Sequence, residues 1–188
     1  DAYQRDASVI YPPVDVERFK PAFPREAYYL TVTRLVPHKR VDLIVEAFSK
    51  LNLPLAVVGD GPELPRLKNM ASPNVRFLGF QADEKAAELM SKARGFVCAA
   101  EEDFGIAIVE AQAAGCPVIA YRASGALETV LDEETGLFFD EQTAKSLADA
   151  VRRFERIYSN FIPGNLVRHA RKFSREHFLR EFKKFLRF

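Results

Sequence analysis

Two cysteines in 188 residues, Cys98 and Cys116, are too few for a disulfide framework, and their spacing is not that of metal ligands. Buried thiols in a reducing cytosol are the expectation. No apolar run approaches the roughly 18 residues that a membrane-spanning helix needs, so no span is expected. No internal repeat or low-complexity segment is present, which excludes repeat architectures. Net charge is close to nil, at +1. The balance is uneven, however: residues 151–188 carry 11 Lys/Arg against 3 Asp/Glu, and residues 1–150 carry 16 against 23. A basic tail can meet nucleic acid or an anionic membrane surface, but charge of this kind is most often a solvated helix face. The chain begins "DAYQRDASVIYPPVD", without an initiator methionine, and enters a strand-like run at once. A fragment of a longer protein is therefore expected.

What is present is ordinary for a globular chain: 48% hydrophobic and 28% charged residues, enough for one domain with a sizeable core. Short β-branched or aromatic runs predict buried strands at 9–11, 28–33, 55–58, 75–78, 96–99, 118–121 and 137–139. Helical periodicity fills the gaps at 41–51, 63–70, 83–94, 105–114, 126–131 and 144–158. This alternation predicts an α/β fold, a doubly wound parallel sheet with helices on both faces. Ligands of such sheets sit at the carboxyl ends of the strands. "PGN" after Ile162 breaks the pattern, and "FSREHFLREFKKFLRF" resumes it as a last helix with Ser174 as N-cap. Phe178, Phe182 and Phe185 form one stripe on that helix. The expected division is a Rossmann-like unit over 1–162 and a terminal helical segment over 163–188.

Three loops are placed to carry chemistry. "VVGDGPEL" at 57–64 resembles half of a dinucleotide fingerprint, but Leu64 stands where the third glycine should be, and no Walker pattern occurs. Gly59 and Gly61 either turn the chain or admit a ligand to the backbone. "TVTRLVPHKRVDL" at 31–43 places Arg34 directly after a strand, where its guanidinium can clamp a phosphate, with Lys39 beside it. "EEDFGIAIVEAQAAGCPVIA" at 101–120 starts a helix at Phe104-Gly105, and its first amides form an anion seat. Glu102 lies just before that seat and Glu110 little more than a turn inside the helix. A lone buried carboxylate costs several kcal/mol, roughly, unless it is hydrogen-bonded, and sugar hydroxyls are suitable donors. Two acids bracketing an anion seat suit a nucleotide sugar: ribose, diphosphate, hexose. The alternative is that Glu110 pairs with an internal arginine and Glu102 is solvated.

These residues resemble the retaining GT-B glycosyltransferases of family 4, the glycosyltransferase group 1 family. "EDFGIAIVEAQAAGCPVIA" is similar to their E-x7-E signature, and "VTRLVPHKRVDLIVEAF" to their donor-diphosphate loop. "VVGDGPE", "NVRFLGF" and "SGALETV" fall in family order. The resemblance implies the C-terminal half of a GT-B fold with a crossover helix at its end, the acceptor-binding domain being absent. It implies that Arg34 and Lys39 neutralise the departing diphosphate without a metal. Glu110 would hold the ribose, and Glu102 with the amides of Phe104, Gly105 and Ile106 the donor sugar and its phosphate. The backbone near Gln81 would meet the base. The wording is most similar to mannosyltransferases of surface-polysaccharide assembly. GDP-mannose is therefore the first expected donor, UDP-sugars are second, and a lipid-linked saccharide is the acceptor. No cofactor and no nucleic acid are expected. The enzyme is expected in the cytoplasm, with its basic tail against the inner face of the membrane. Competing readings are a nucleotide-sugar epimerase of the same shape and a non-catalytic nucleotide-binding module.

Overall fold

The computed structural model describes residues 7–186. Six strands form one sheet: β1 Tyr29–Val32, β2 Leu55–Val58, β3 Val75–Gly79, β4 Gly95–Cys98, β5 Val118–Tyr121 and β6 Gly136–Phe139. Every neighbouring pair is parallel, in the order β3-β2-β1-β4-β5-β6. The helices are α1 Val41–Leu51, α2 Leu64–Met70, α3 Asp83–Lys92, α4 Ile106–Ala113, α5 Gly125–Thr129, α6 Ala144–Ile157, α7 Pro163–Ala170 and α8 Arg175–Leu186. This is the doubly wound Rossmann-like sheet expected from the alternation.

Successive strand residues point to opposite faces, and each face has its own core. Tyr29, Leu55, Val57, Val97, Ile119 and Leu137 pack with α1 and α6 on one side. Leu30, Ala56, Val58, Phe96, Val118 and Phe138 pack with α3, α4, α5 and α7 on the other. Because both faces are covered, the strands read as continuous apolar runs instead of alternating ones. Strand order reverses between β1 and β4, so the loops leaving those two strands diverge and leave a crevice at their carboxyl ends.

Two expectations fail. Residues 9–11 form no strand: Val9 is 73% exposed, and the Tyr11 ring meets Phe173 at 5.4 Å, just ahead of the last helix. The segment is held by a bridge between Val14 and Ser174, and by Tyr11, whose ring stacks on Phe104 at 5.6 Å. "PGN" does not break the chain but starts α7, with Pro163 in the first turn. Proline is at home there, because its fixed φ suits a helix and its missing N–H has no intrahelical partner to lose. Leu166, His169 and Ala170 bury the inner face of α7 against α4. Ser174 caps α8 as expected, accepting from the His177 amide at 3.2 Å. None of the described side chains of α8 is buried, and Phe178 and Phe182 stack on each other at 5.6 Å. The chain start "DAYQRD" and the last two residues of the predicted terminal helix lie outside the described residues.

Candidate functional site

Two adjoining cavities open at the carboxyl edge of the sheet, one at the ends of β1 and β4 and the other at the ends of β1 and β2, and Val32 and Thr33 at the end of β1 wall both. The first, of about 380 Å³, is lined by Lys39, Cys98, Glu102, Phe104, Gly105 and Ile106 among others. The second, of about 480 Å³, contains Arg18, Arg34, Gly59, Phe80, Gln81 and Glu110. The nine residues singled out from the sequence thus fall on two connected walls, four facing one side of Thr33 and five lining the other cavity or its start.

The loop after β1 is shaped by a short 3-10 turn, Pro37–Lys39, closed by Arg40 in the left-handed region at φ 49°. The Arg40 guanidinium donates to Gln142 Oε1 at 2.9 Å, and Gln142 Nε2 donates to the Ala99 carbonyl at 2.9 Å. That chain of bonds ties the β1 loop to the end of β4. It points Lys39 at Glu102, with Nζ 2.8 Å from both carboxylate oxygens. The sequence alternative of a solvated Glu102 is therefore wrong: its side chain is 22% exposed and paired. An ammonium has three donors, so the pair leaves Lys39 one for a further anion. Arg34 is exposed, and among the described residues it makes no side-chain hydrogen bond or ion pair.

On the facing side, Gly105 precedes α4 with φ 86°, a conformation an L side chain rarely takes, and a Cβ there would lie 2.8 Å from Ile108 Cδ1. Among the described residues no side chain caps α4, so its first amides stand at the cavity without an intrahelical acceptor. The loop before it is pinned from behind. Gly125 donates to the Glu102 carbonyl at 2.8 Å, and a Cβ on Gly125 would sit 2.4 Å from Phe104 Cα. The Phe104 ring is held between Tyr11 and Phe173.

Glu110 pairs with Arg18, whose Nη2 donates to Oε1 at 3.0 Å, while Nη1 reaches Asp83 at 2.8 Å. The internal-arginine alternative thus holds for this residue, yet the pair stands on the cavity wall and not in the core. Burial pushes the Glu110 carboxyl above its ordinary range, with Arg18 pulling it back. Arg18 went unrecognised in the sequence. It stands 92 residues from Glu110, on a segment with no periodicity to mark it. Gly59, with φ 130°, lines the second cavity. Its Cβ would meet the Thr33 carbonyl at 1.8 Å, so the glycine serves close approach of the chain to itself. Gln81 turns its amide onto the Leu78 carbonyl, at 2.6 Å, beside the exposed Phe80 ring. Cys98 is half-buried, 4.0 Å from Glu102, and Cys116 is buried; burial pushes both thiols up to about 12.

A doubly wound sheet with this crevice and this acidic, helix-capped loop matches the family described as glycosyl transferases group 1, over residues 14–173, and the chain belongs to that family. It is 36% identical over 170 residues to a GDP-mannose-dependent alpha-(1-6)-phosphatidylinositol monomannoside mannosyltransferase of Mycolicibacterium smegmatis, covering 74% of this chain and 44% of that protein. The counterpart in Mycobacterium tuberculosis is 34% identical over 182 residues, covering 80% and 47%. The chain spans about half the length of these curated relatives. Among solved structures, a sucrose-phosphate synthase from Thermosynechococcus elongatus superimposes with a TM-score of 0.85 at 26% identity, over 96% of this chain and 52% of that one. An Anabaena protein crystallised with UDP and glucose gives 0.82 at 24% identity, over 95% and 56%. These likenesses establish the GT-B type of Rossmann-like half. No helix among the described residues is long and apolar enough to cross a membrane.

Proposed function

We propose that this chain is the donor-binding part of a retaining glycosyltransferase that moves mannose from GDP-mannose to a saccharide acceptor. The observation that carries the reading is the convergence of Arg34, Lys39, Glu102, Glu110 and the open amides of α4 on two cavities joined at Thr33. Among the described residues one cation has no side-chain partner and the other keeps a spare donor, which is what a diphosphate lying across Thr33 requires. The GDP-mannose dependence of two mycobacterial relatives supports the donor assignment.

In this reading the nucleoside occupies the second cavity, with its ribose on Glu110 and its base near Gln81. The diphosphate spans Arg34, Lys39 and the amides of Phe104, Gly105 and Ile106. The hexose enters the first cavity, where Glu102 accepts from its hydroxyls. Charge develops on the diphosphate as the sugar–phosphate bond breaks, and fixed cations and amides in a restricted site stabilise that charge. The bond from the anomeric carbon to the phosphate oxygen breaks while one to the acceptor oxygen forms on the same face. The acceptor proton passes to the departing phosphate, and no metal is needed to neutralise it. The acceptor is a lipid-linked saccharide met by the remainder of a longer protein, with the basic tail against an anionic membrane.

Calorimetry with GDP-mannose, UDP-glucose and the free nucleotides tests the reading. GDP-mannose binds most tightly, and Arg34→Ala weakens it about 10-fold or more, the value of one charged hydrogen bond. Binding of all sugar nucleotides unchanged in Arg34→Ala would instead favour a non-catalytic nucleotide module, and preference for UDP-sugars would move the donor to that class.

A further inference from the structure

We infer that Arg18 is a positioning residue for the donor site, keeping Glu110 ionised and aimed into the cavity from a segment that precedes the sheet. The inference rests on the reading of Glu110 as the ribose acceptor. Arg18 closes a 3-10 turn, Val16–Arg18, and the flanking Val16 and Phe19 are buried in the core beneath α3 and α4. Its guanidinium carbon lies 4.9 Å from the Phe19 ring centroid, so the ring fixes the direction of the side chain. From there the two terminal nitrogens divide between Asp83 on α3 and Glu110 on α4, at 2.8 and 3.0 Å. Three elements remote in sequence meet at one planar group.

The charges that face Glu110 make that cation necessary. Asp83 on α3 and Asp15 just ahead of the turn both push its carboxyl up, in the same direction as burial; among the described residues Arg18 opposes them. Arg34 lines the same cavity from the β1 loop. Arg18 occupies one lone pair of Oε1 and leaves Oε2 to accept from a ligand. A protonated carboxyl would turn one of its oxygens into a donor and could no longer accept from both hydroxyls of a diol. If the arginine served the surface alone, Asp83 would suffice as its partner, since that side chain is 73% exposed while Glu110 is 21% exposed.

The test has two readouts on the same chain. The side-chain carboxyl carbon of Glu110 is titrated by NMR without ligand, in the native chain, Arg18→Met and Arg18→Lys. In parallel, GDP and 2′,3′-dideoxy-GDP are compared by calorimetry between about pH 5 and pH 8. Arg18→Met raises the Glu110 midpoint, and its preference for GDP falls as pH drops, by up to about tenfold per unit below the new midpoint. Arg18→Lys restores both. If the Met variant does not fold, Arg18→Gln replaces it with the same upward shift expected. An unmoved Glu110 midpoint in a folded variant overturns the role of Arg18. A moved midpoint with GDP and the dideoxy nucleotide bound alike by the native chain overturns the ribose reading beneath it.

Discussion

The two ends of the sheet carry charge in opposite ways. At the amino end, two arginines, Arg25 and Arg94, are closed in on the protein. Arg94 makes two 2.7 Å bonds to Glu155 and lies over the Tyr158 ring, while the Tyr29 hydroxyl donates to the same carboxylate. Arg25 donates to the carbonyls of Ser91, Ala93 and Ala114 at 2.9 Å each, where α3 and α4 end and their dipoles are negative. At the carboxyl end, Arg34 has no side-chain partner among the described residues, Lys39 has a donor to spare, and a carboxylate with a raised pKa stands on a cavity wall. Saturated charge holds a fold together, whereas unsaturated charge held at a crevice is available to a ligand. The same helices produce both conditions, because a helix joining two parallel strands must run back against them, so each crossover helix starts at the carboxyl end of the sheet and finishes at the amino end.

The contrast can be broken at either end, and the stability effects rank the attempts. Phe154→Ala is the largest. Its ring is fully buried beneath the amino end against Tyr29, Tyr158 and Phe161, so truncation costs about 3–5 kcal/mol in denaturant unfolding. The affinity of the folded fraction for a sugar nucleotide stays unchanged.

Glu155→Gln comes next, at about 1–2 kcal/mol near neutral pH, a figure reduced for its partial exposure. The Arg94 hydrogen bonds hold the Glu155 carboxyl below its ordinary range, aided by Tyr29 and opposed by burial. Its contribution is therefore present above the usual carboxylate pKa and is lost as pH falls through the depressed folded value. Unfolding measured across that acid range shows the native chain and Glu155→Gln converging as pH drops, whereas parallel curves would detach the pair from stability. Lys39→Met is the smallest. The pair is 23% and 22% exposed at the rim of a cavity, and a solvent-reachable pair of this kind contributes about 1 kcal/mol, so the melting curve moves little. Sugar-nucleotide affinity, measured by calorimetry, nevertheless falls about 10-fold, the reverse of the Phe154 result.

Most of the fold was legible because apolar strands and periodic helices announce themselves locally: all six sheet strands fall within or beside a run expected from sequence. Residues 9–11 misled because a short apolar run says nothing about whether a sheet edge is within reach, and this one found an aromatic ring instead. The helix after Ile162 escapes a sequence reading because proline and glycine usually mark breaks, although a first helical turn tolerates both. At the site, Arg34, Lys39 and Glu102 could be named because each sits in a loop leaving a strand, and Glu110 because it lies little more than a turn inside the helix that follows, positions that a doubly wound sheet brings together. Arg18, Asp83 and Gln142 could not. Their roles depend on partners 92, 65 and 43 residues away, and no local pattern encodes such a distance.

The placement of a diphosphate across Thr33 is tested most directly by calorimetric titration of GDP and GMP against the native chain, Arg34→Ala and Lys39→Met. The native chain binds GDP at least about tenfold more tightly than GMP, and both variants erase most of that margin while leaving GMP nearly unaffected. GDP and GMP bound with equal affinity by all three proteins would contradict it.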